Sequence, residues 1–152
     1  MMRISARSVV LAFALVCLLL MASSSFAQEV AADSESVLSE QYRAVIEDVQ
    51  LGISTGNMGL VAKHFASRIA VNLRGGESGT FSSNQAYYVL QDFFKTRRIG
   101  RFEFSTFGES DANPYAAGEA ELMHKGTRER AQVYVALLFD GKKYLITQLT
   151  VY

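Results

Sequence analysis

The chain has 152 residues, with 15 basic and 15 acidic side chains, 49% hydrophobic residues and one cysteine. Such a charge balance argues against a general nucleic-acid binder or an anionic-membrane binder, whose domain would be clearly basic. With Cys17 alone, no disulfide can form within the chain.

Arg3 and Arg7 precede an uncharged run from Ser8 to Gln28, whose apolar part is Val9 to Ala22. That part is shorter than the ~20 residues that span a bilayer as a helix. With the small residues of Ser25-Phe26-Ala27 at −3 and −1, the pattern predicts a signal peptide over 1–27, cleaved after Ala27. Val16 ahead of Cys17 fits a lipoprotein signal poorly. Cleavage removes Arg3 and Arg7, so 13 basic residues face 15 acidic ones and the net charge becomes −2. The expected product is a soluble periplasmic or secreted protein, with no membrane span after cleavage, no nucleic-acid partner and no cysteine.

Residues 28–36 are small and acidic and show no apolar period, which reads as a flexible leader. One domain over 37–152 is expected to follow. Val37, Leu38, Tyr42, Val45, Ile46, Val49 and Leu51 recur at spacings of three and four, which predicts an amphipathic helix capped by Ser34 or Ser36 and ended by Gly52 and the run Ser54-Thr55-Gly56-Asn57. Asn57 is placed to cap a short second helix that carries Met58, Leu60, Val61 and Phe65 and ends near Ser67. Ile69, Val71 and Leu73 then alternate with Ala70, Asn72 and Arg74, the period of a half-buried strand. Gly75-Gly76 turns the chain into a brief return strand over Ser78 to Phe81.

Ser82-Ser83-Asn84-Gln85 has the form of a capping box. The helix it opens buries Ala86, Val89, Leu90, Phe93 and Phe94 and closes on Lys95, Arg97 and Arg98, cations that suit its C-terminal dipole. Strands are predicted over Arg101–Phe107, Tyr115–His124, Arg128–Phe139 and Lys143–Tyr152, with Asp140-Gly141 as a two-residue hairpin. Short connections between consecutive strands predict an antiparallel meander.

This order of elements resembles the nuclear-transport-factor-2-like (cystatin-like cone) superfamily. Gly56-Asn57, Leu60, His64-Phe65, Phe81-Ser82, Gln85-Ala86, Leu90, Phe93-Phe94, Arg130 through Tyr134 and Tyr144-Leu145-Ile146 are similar to the domain-of-unknown-function 4783 family of small exported bacterial proteins. The resemblance implies an α+β fold, with helices packed on the concave side of a strongly bent antiparallel sheet. It implies no catalytic residues, because its motifs are packing and turn residues.

Isomerase-like and dehydratase-like members of the superfamily place an acid or base, with a tyrosine donor, in the mouth of the cone. The residues here that could line such a pocket are Tyr42, His64, Phe65, Tyr88, Phe94 and Phe104. His64 and His124 are the only histidines and lie in no metal-binding spacing, so no metal or cofactor is expected. His64 reads more simply as a helix-terminal cap.

Strand parity sets the expectation for function. In the third meander strand Ala131, Val133, Val135, Leu137 and Phe139 form the apolar row, leaving Arg130, Gln132 and Tyr134 outside; Glu119 and Glu121 fall with Tyr115 on the same outer side. In the last strand Tyr144, Ile146 and Gln148 read as outward and Leu145, Leu149 and Val151 as inward. Tyrosine and neutral polar side chains suit an interface. A homodimer face of Tyr115, Arg130, Gln132, Tyr134, Tyr144 and Gln148 is therefore expected, on a non-enzymatic exported domain that holds a small apolar ligand or an envelope protein. The alternative is a small-molecule isomerase or dehydratase.

Overall fold

A computed structural model describes residues 39–110 and 113–152. The expected signal peptide, the expected leader, Cys17 and the expected cap of the first helix lie outside the described residues. Residues Gln41–Tyr152 form one compact unit.

Helix α1 is described over 39–55 and buries Val45, Ile46, Val49 and Ile53. The expected end is corrected in part: the helix runs through Gly52, which is buried, and stops within the run that follows, at Thr55 ahead of Gly56 with φ of 70°. A Cβ there would stand 2.6 Å from Val61 Cγ2 and 2.9 Å from Asn57 O, so the missing side chain lets α2 (Met58–Ala62) close on α1. Helix α2 is shorter than expected, and its N-cap residue Asn57 makes no side-chain capping bond. Phe65 opens strand β1 (Phe65–Leu73) instead of closing a helix.

Strand β2 (Ser78–Ser82) returns antiparallel to β1 and leads into α3 (Ser83–Thr96). The capping box forms as expected: Ser82 Oγ accepts from Gln85 N, and Gln85 Oε1 accepts from Ser82 N at 3.1 Å. Arg97 leaves the helix end, donates to Gly75 O at 2.9 Å and lies 4.2 Å over the Phe93 ring. It thereby ties α3 to the β1–β2 turn.

The meander follows as β3 (Arg98–Ser110), β4 (Asn113–His124), β5 (Thr127–Phe139) and β6 (Tyr144–Val151). The six-stranded sheet has the order β2-β1-β6-β5-β4-β3, and its β1–β6 pair is parallel. Lys125 and Gly126 make the two-residue β4–β5 turn with φ of 49° and 80°. The β5–β6 connection is longer than the expected two residues, because Phe139 pairs with Tyr144. Asp140 Oδ1 accepts from the amides of Lys142 and Lys143 there, which holds its carboxyl below the usual range.

Bulges give the sheet its curvature. Register shifts lie between Ile99 and Arg101 and between Phe104 and Thr106 in β3, and a third leaves Thr147 as an extra residue in β6. At Gly118 the backbone of β3 leaves no room for a side chain on β4: a Cβ would meet Glu103 O and stand 2.7 Å from Phe104 Cα. The helices pack on the side of the sheet that buries Val133, Val135, Leu137 and Leu149.

Candidate functional site

Two sides of the sheet offer themselves, and the alternation of each strand decides what each carries. On the helix side Phe65, Phe93, Phe94, Phe102 and Phe104 are all less than 9% exposed and belong to one apolar cluster with Leu90, Val133 and Leu149. Of the expected pocket residues, Phe65, Phe94 and Phe104 are thus part of the packed core. Tyr88 is 55% exposed on α3, against Tyr87 at 5.1 Å, and does not join them.

His64 and Tyr42 are half-buried but separately engaged. His64 Nε2 lies 2.7 Å from Asp48 Oδ2, and Lys63 Nζ lies 2.8 Å from the same oxygen. The expected role of His64 as a cap on helix carbonyls is corrected to this link between α1 and the α2–β1 turn. Lys63 chiefly, and His64 after it, hold the Asp48 carboxyl below the usual range against the opposing effect of burial. The Tyr42 hydroxyl donates to Tyr115 O at 3.0 Å, and burial followed by the Tyr144 phenol raises its pKa. Tyr42 therefore holds its proton as a structural donor.

Tyr144 is not on the outer face. Because Thr147 is the extra residue of β6, parity reverses there: Ile146 is fully buried, and Tyr144 packs edge-on to Tyr42 at 5.8 Å and against Phe139 at 5.2 Å. The signal was present as the adjacent apolar pair Leu145-Ile146, which strict alternation cannot place.

The outer face is built by β3, β4 and β5. Tyr115 and Tyr134 stack with centroids 5.4 Å apart, and a Cβ at Gly108 would stand 2.8 Å from the Tyr115 hydroxyl, so that ring lies flat across the glycine. Gln148 Nε2 donates to Thr150 Oγ1 at 3.2 Å, and Tyr152 donates to Gln132 Oε1 at 3.0 Å. The packing of Tyr115 on Gly108 and the reach of Tyr152 are not legible in the sequence, since both depend on cross-strand register.

Beyond the tyrosines the same face carries charge. A hollow of about 530 Å³ is lined by Arg101, Glu103, Glu119, Glu121 and Arg130. Arg101 Nη2 lies 3.5 Å from Glu103 Oε2, and Arg128 Nη1 lies 3.9 Å from Glu121 Oε2. A second hollow, of about 460 Å³, lies over β1, β2 and β6 and is lined by Ala70, Asn72, Ser78, Thr80 and Gln148. Among the described residues no group of three or more His, Cys, Asp or Glu is placed to hold a metal ion, and no helix is long and apolar enough to cross a membrane.

Helices laid on a bent six-stranded sheet of this order make a nuclear-transport-factor-2-like α+β fold. The model of the domain of unknown function DUF4783 matches residues 46–151, and the chain belongs to that family. A DUF4783 protein of Bacteroides uniformis is similar at 18% identity over 69% of this chain and 93% of its own, with a TM-score of 0.61. One from Bacteroides ovatus is 19% identical over 68% of this chain and 89% of its own, with a TM-score of 0.58. A ketosteroid isomerase-like protein of Erwinia carotovora atroseptica is 12% identical over 76% of this chain and 92% of its own, with a TM-score of 0.56. At these identities the likeness is one of fold. No curated protein matches the chain in sequence.

Proposed function

We propose that this protein is an exported, non-enzymatic association module that forms a homodimer through the outer face of its sheet. The observation that carries this reading is where the sheet keeps its accessible polar groups. The helix side is filled by Phe65, Phe93, Phe94, Phe102 and Phe104, each less than 9% exposed, while both hollows described above open on the other face. Acid–base chemistry on a small molecule wants a titratable group in a dry enclosed pocket. His64, the best candidate, instead sets its Nε2 against Asp48 in the link between α1 and the α2–β1 turn.

Export is supported by Arg3, Arg7 and the apolar stretch that follows them. The outer face sets two stacked tyrosines, a residue type that interface cores favour, beside the neutral polar Gln132, Gln148 and Thr150. A small ligand or an envelope protein would then meet a dimer, at surfaces the interface leaves free.

Sedimentation of the full chain, produced in a bacterial host and purified, tests the reading at micromolar concentration. The expected result is a dimer that Tyr134→Glu converts to a folded monomer. A wild-type chain that sediments as a monomer at that concentration would sink it.

A further inference from the structure

We infer that two copies pack face to face about a twofold axis that runs parallel to β4 and β5, over the seam between them on the outer face; this rests on the dimer reading above. The pairing of the two strands sets four rows across the outer face. Tyr115 stands opposite Ala136, Ala117 opposite Tyr134, Glu119 opposite Gln132, and Glu121 opposite Arg130.

A twofold axis along the strands exchanges β4 with β5 and keeps each row at its own height. Each side chain of β4 then meets, on the second copy, the residue it already faces within its own sheet. By register the position of Tyr115 comes level with the partner's Ala136 and that of Tyr134 with the partner's Ala117, large against small in both cases. Glu121 meets the partner's Arg130, and Glu119 meets the partner's Gln132. Three of the four rows are thus complementary to themselves in bulk or in charge, and in the fourth the Gln132 amide is a donor for the Glu119 carboxylate, which suits an interface between identical surfaces.

The neighbouring axes parallel to these strands lack this property. An axis along β4 sets Glu119 and Glu121 against their own copies, and one along β5 sets Arg130 against Arg130. An axis between β3 and β4 brings Glu103 onto the partner's Glu119, because those two carboxylates are register partners. An axis between β5 and β6 leaves Arg130 beyond the end of β6, whose last neighbour in register is Tyr152 against Gln132. Face-to-face sheets pack with their strands within about 30° of one another, so an axis along the strands is also the ordinary geometry.

Arg130 supplies the second argument. Although it stands opposite Glu121, it makes no ion pair within 4.0 Å among the described residues, and the Glu121 carboxylate leans toward Arg128 at 3.9 Å. Both charges line the open hollow of this face. A guanidinium offers parallel donors that a carboxylate from a second copy can take up.

The test is charge reversal with mutual rescue. Glu121→Arg and Arg130→Glu each set like charges against one another twice in the dimer. Each is expected to weaken dimerisation by roughly 100-fold while circular dichroism stays that of the wild type. In an equimolar mixture of the two variants, every altered charge meets its opposite on the other copy. Sedimentation should then return a heterodimer within about tenfold of wild-type affinity. Because each variant rescues the other, the mixture separates a contact between copies from a folding defect. A wild-type dimer that Tyr134→Glu disrupts, but whose two charge variants stay apart on mixing, overturns the axis and leaves the dimer reading standing. A monomeric wild type overturns both.

Discussion

Asp48 on α1 and His64 in the α2–β1 turn are joined at 2.7 Å, and Lys63 reaches the same carboxylate oxygen at 2.8 Å. One carboxylate therefore fastens the first helix to the start of the sheet. Lys63 is the larger influence in holding Asp48 below its ordinary value, and His64 adds to it. The folded protein thus holds its proton there less tightly than the unfolded chain. The link stabilises fully above the unfolded value near 3.8 and is lost as pH falls through the lower folded value. Asp48→Asn should cost about 1 kcal/mol at pH 7 and progressively less toward pH 3. Urea midpoints of the two proteins at both pH values check this, and a gap that widens in acid would contradict it.

Gly118 is needed where the backbone of β3 crowds its position in β4. Any Cβ there meets backbone, at Glu103 O and at 2.7 Å from Phe104 Cα, and backbone cannot swing aside as a flexible side chain would. Gly118→Ala should destabilise by about 2–4 kcal/mol, read as a lowered thermal midpoint.

Gly52 sets two effects against each other. Alanine would improve helix propensity by about 1 kcal/mol. The new methyl, however, would stand 2.6 Å from Val61 Cγ2 and 2.9 Å from Asn57 O and would push α2 off α1. Overpacking of that kind costs about 1–3 kcal/mol, so Gly52→Ala should be net destabilising in denaturant unfolding.

Two sequence signals for helix caps separate in the structure. Ser82→Ala removes a formed capping box and should cost about 1 kcal/mol. Asn57 makes no side-chain capping bond, so Asn57→Ala should change stability by less than about 0.5 kcal/mol. Parallel chemical denaturation of the two variants distinguishes them.

The sequence by itself determined the α+β class, the capping box at Ser82, the meander and the apolar row of β5, because each rests on neighbours within a few residues. Periodicity in β5 is unbroken from Ala131 to Leu137, so its faces could be assigned at once. The expectation for Tyr144 failed because one extra residue, Thr147, reverses every side chain before it, and a bulge is a property of two strands paired rather than of one. Helix α1 passes through Gly52 for a similar reason: what favours glycine there is the approach of Val61 from α2. The tertiary structure alone decided that His64 meets Asp48, that Tyr115 lies on Gly108, and that Glu121 stands level with Arg130. Those juxtapositions join residues that only the folded register brings side by side, and the self-matching rows of β4 and β5 become visible at that level.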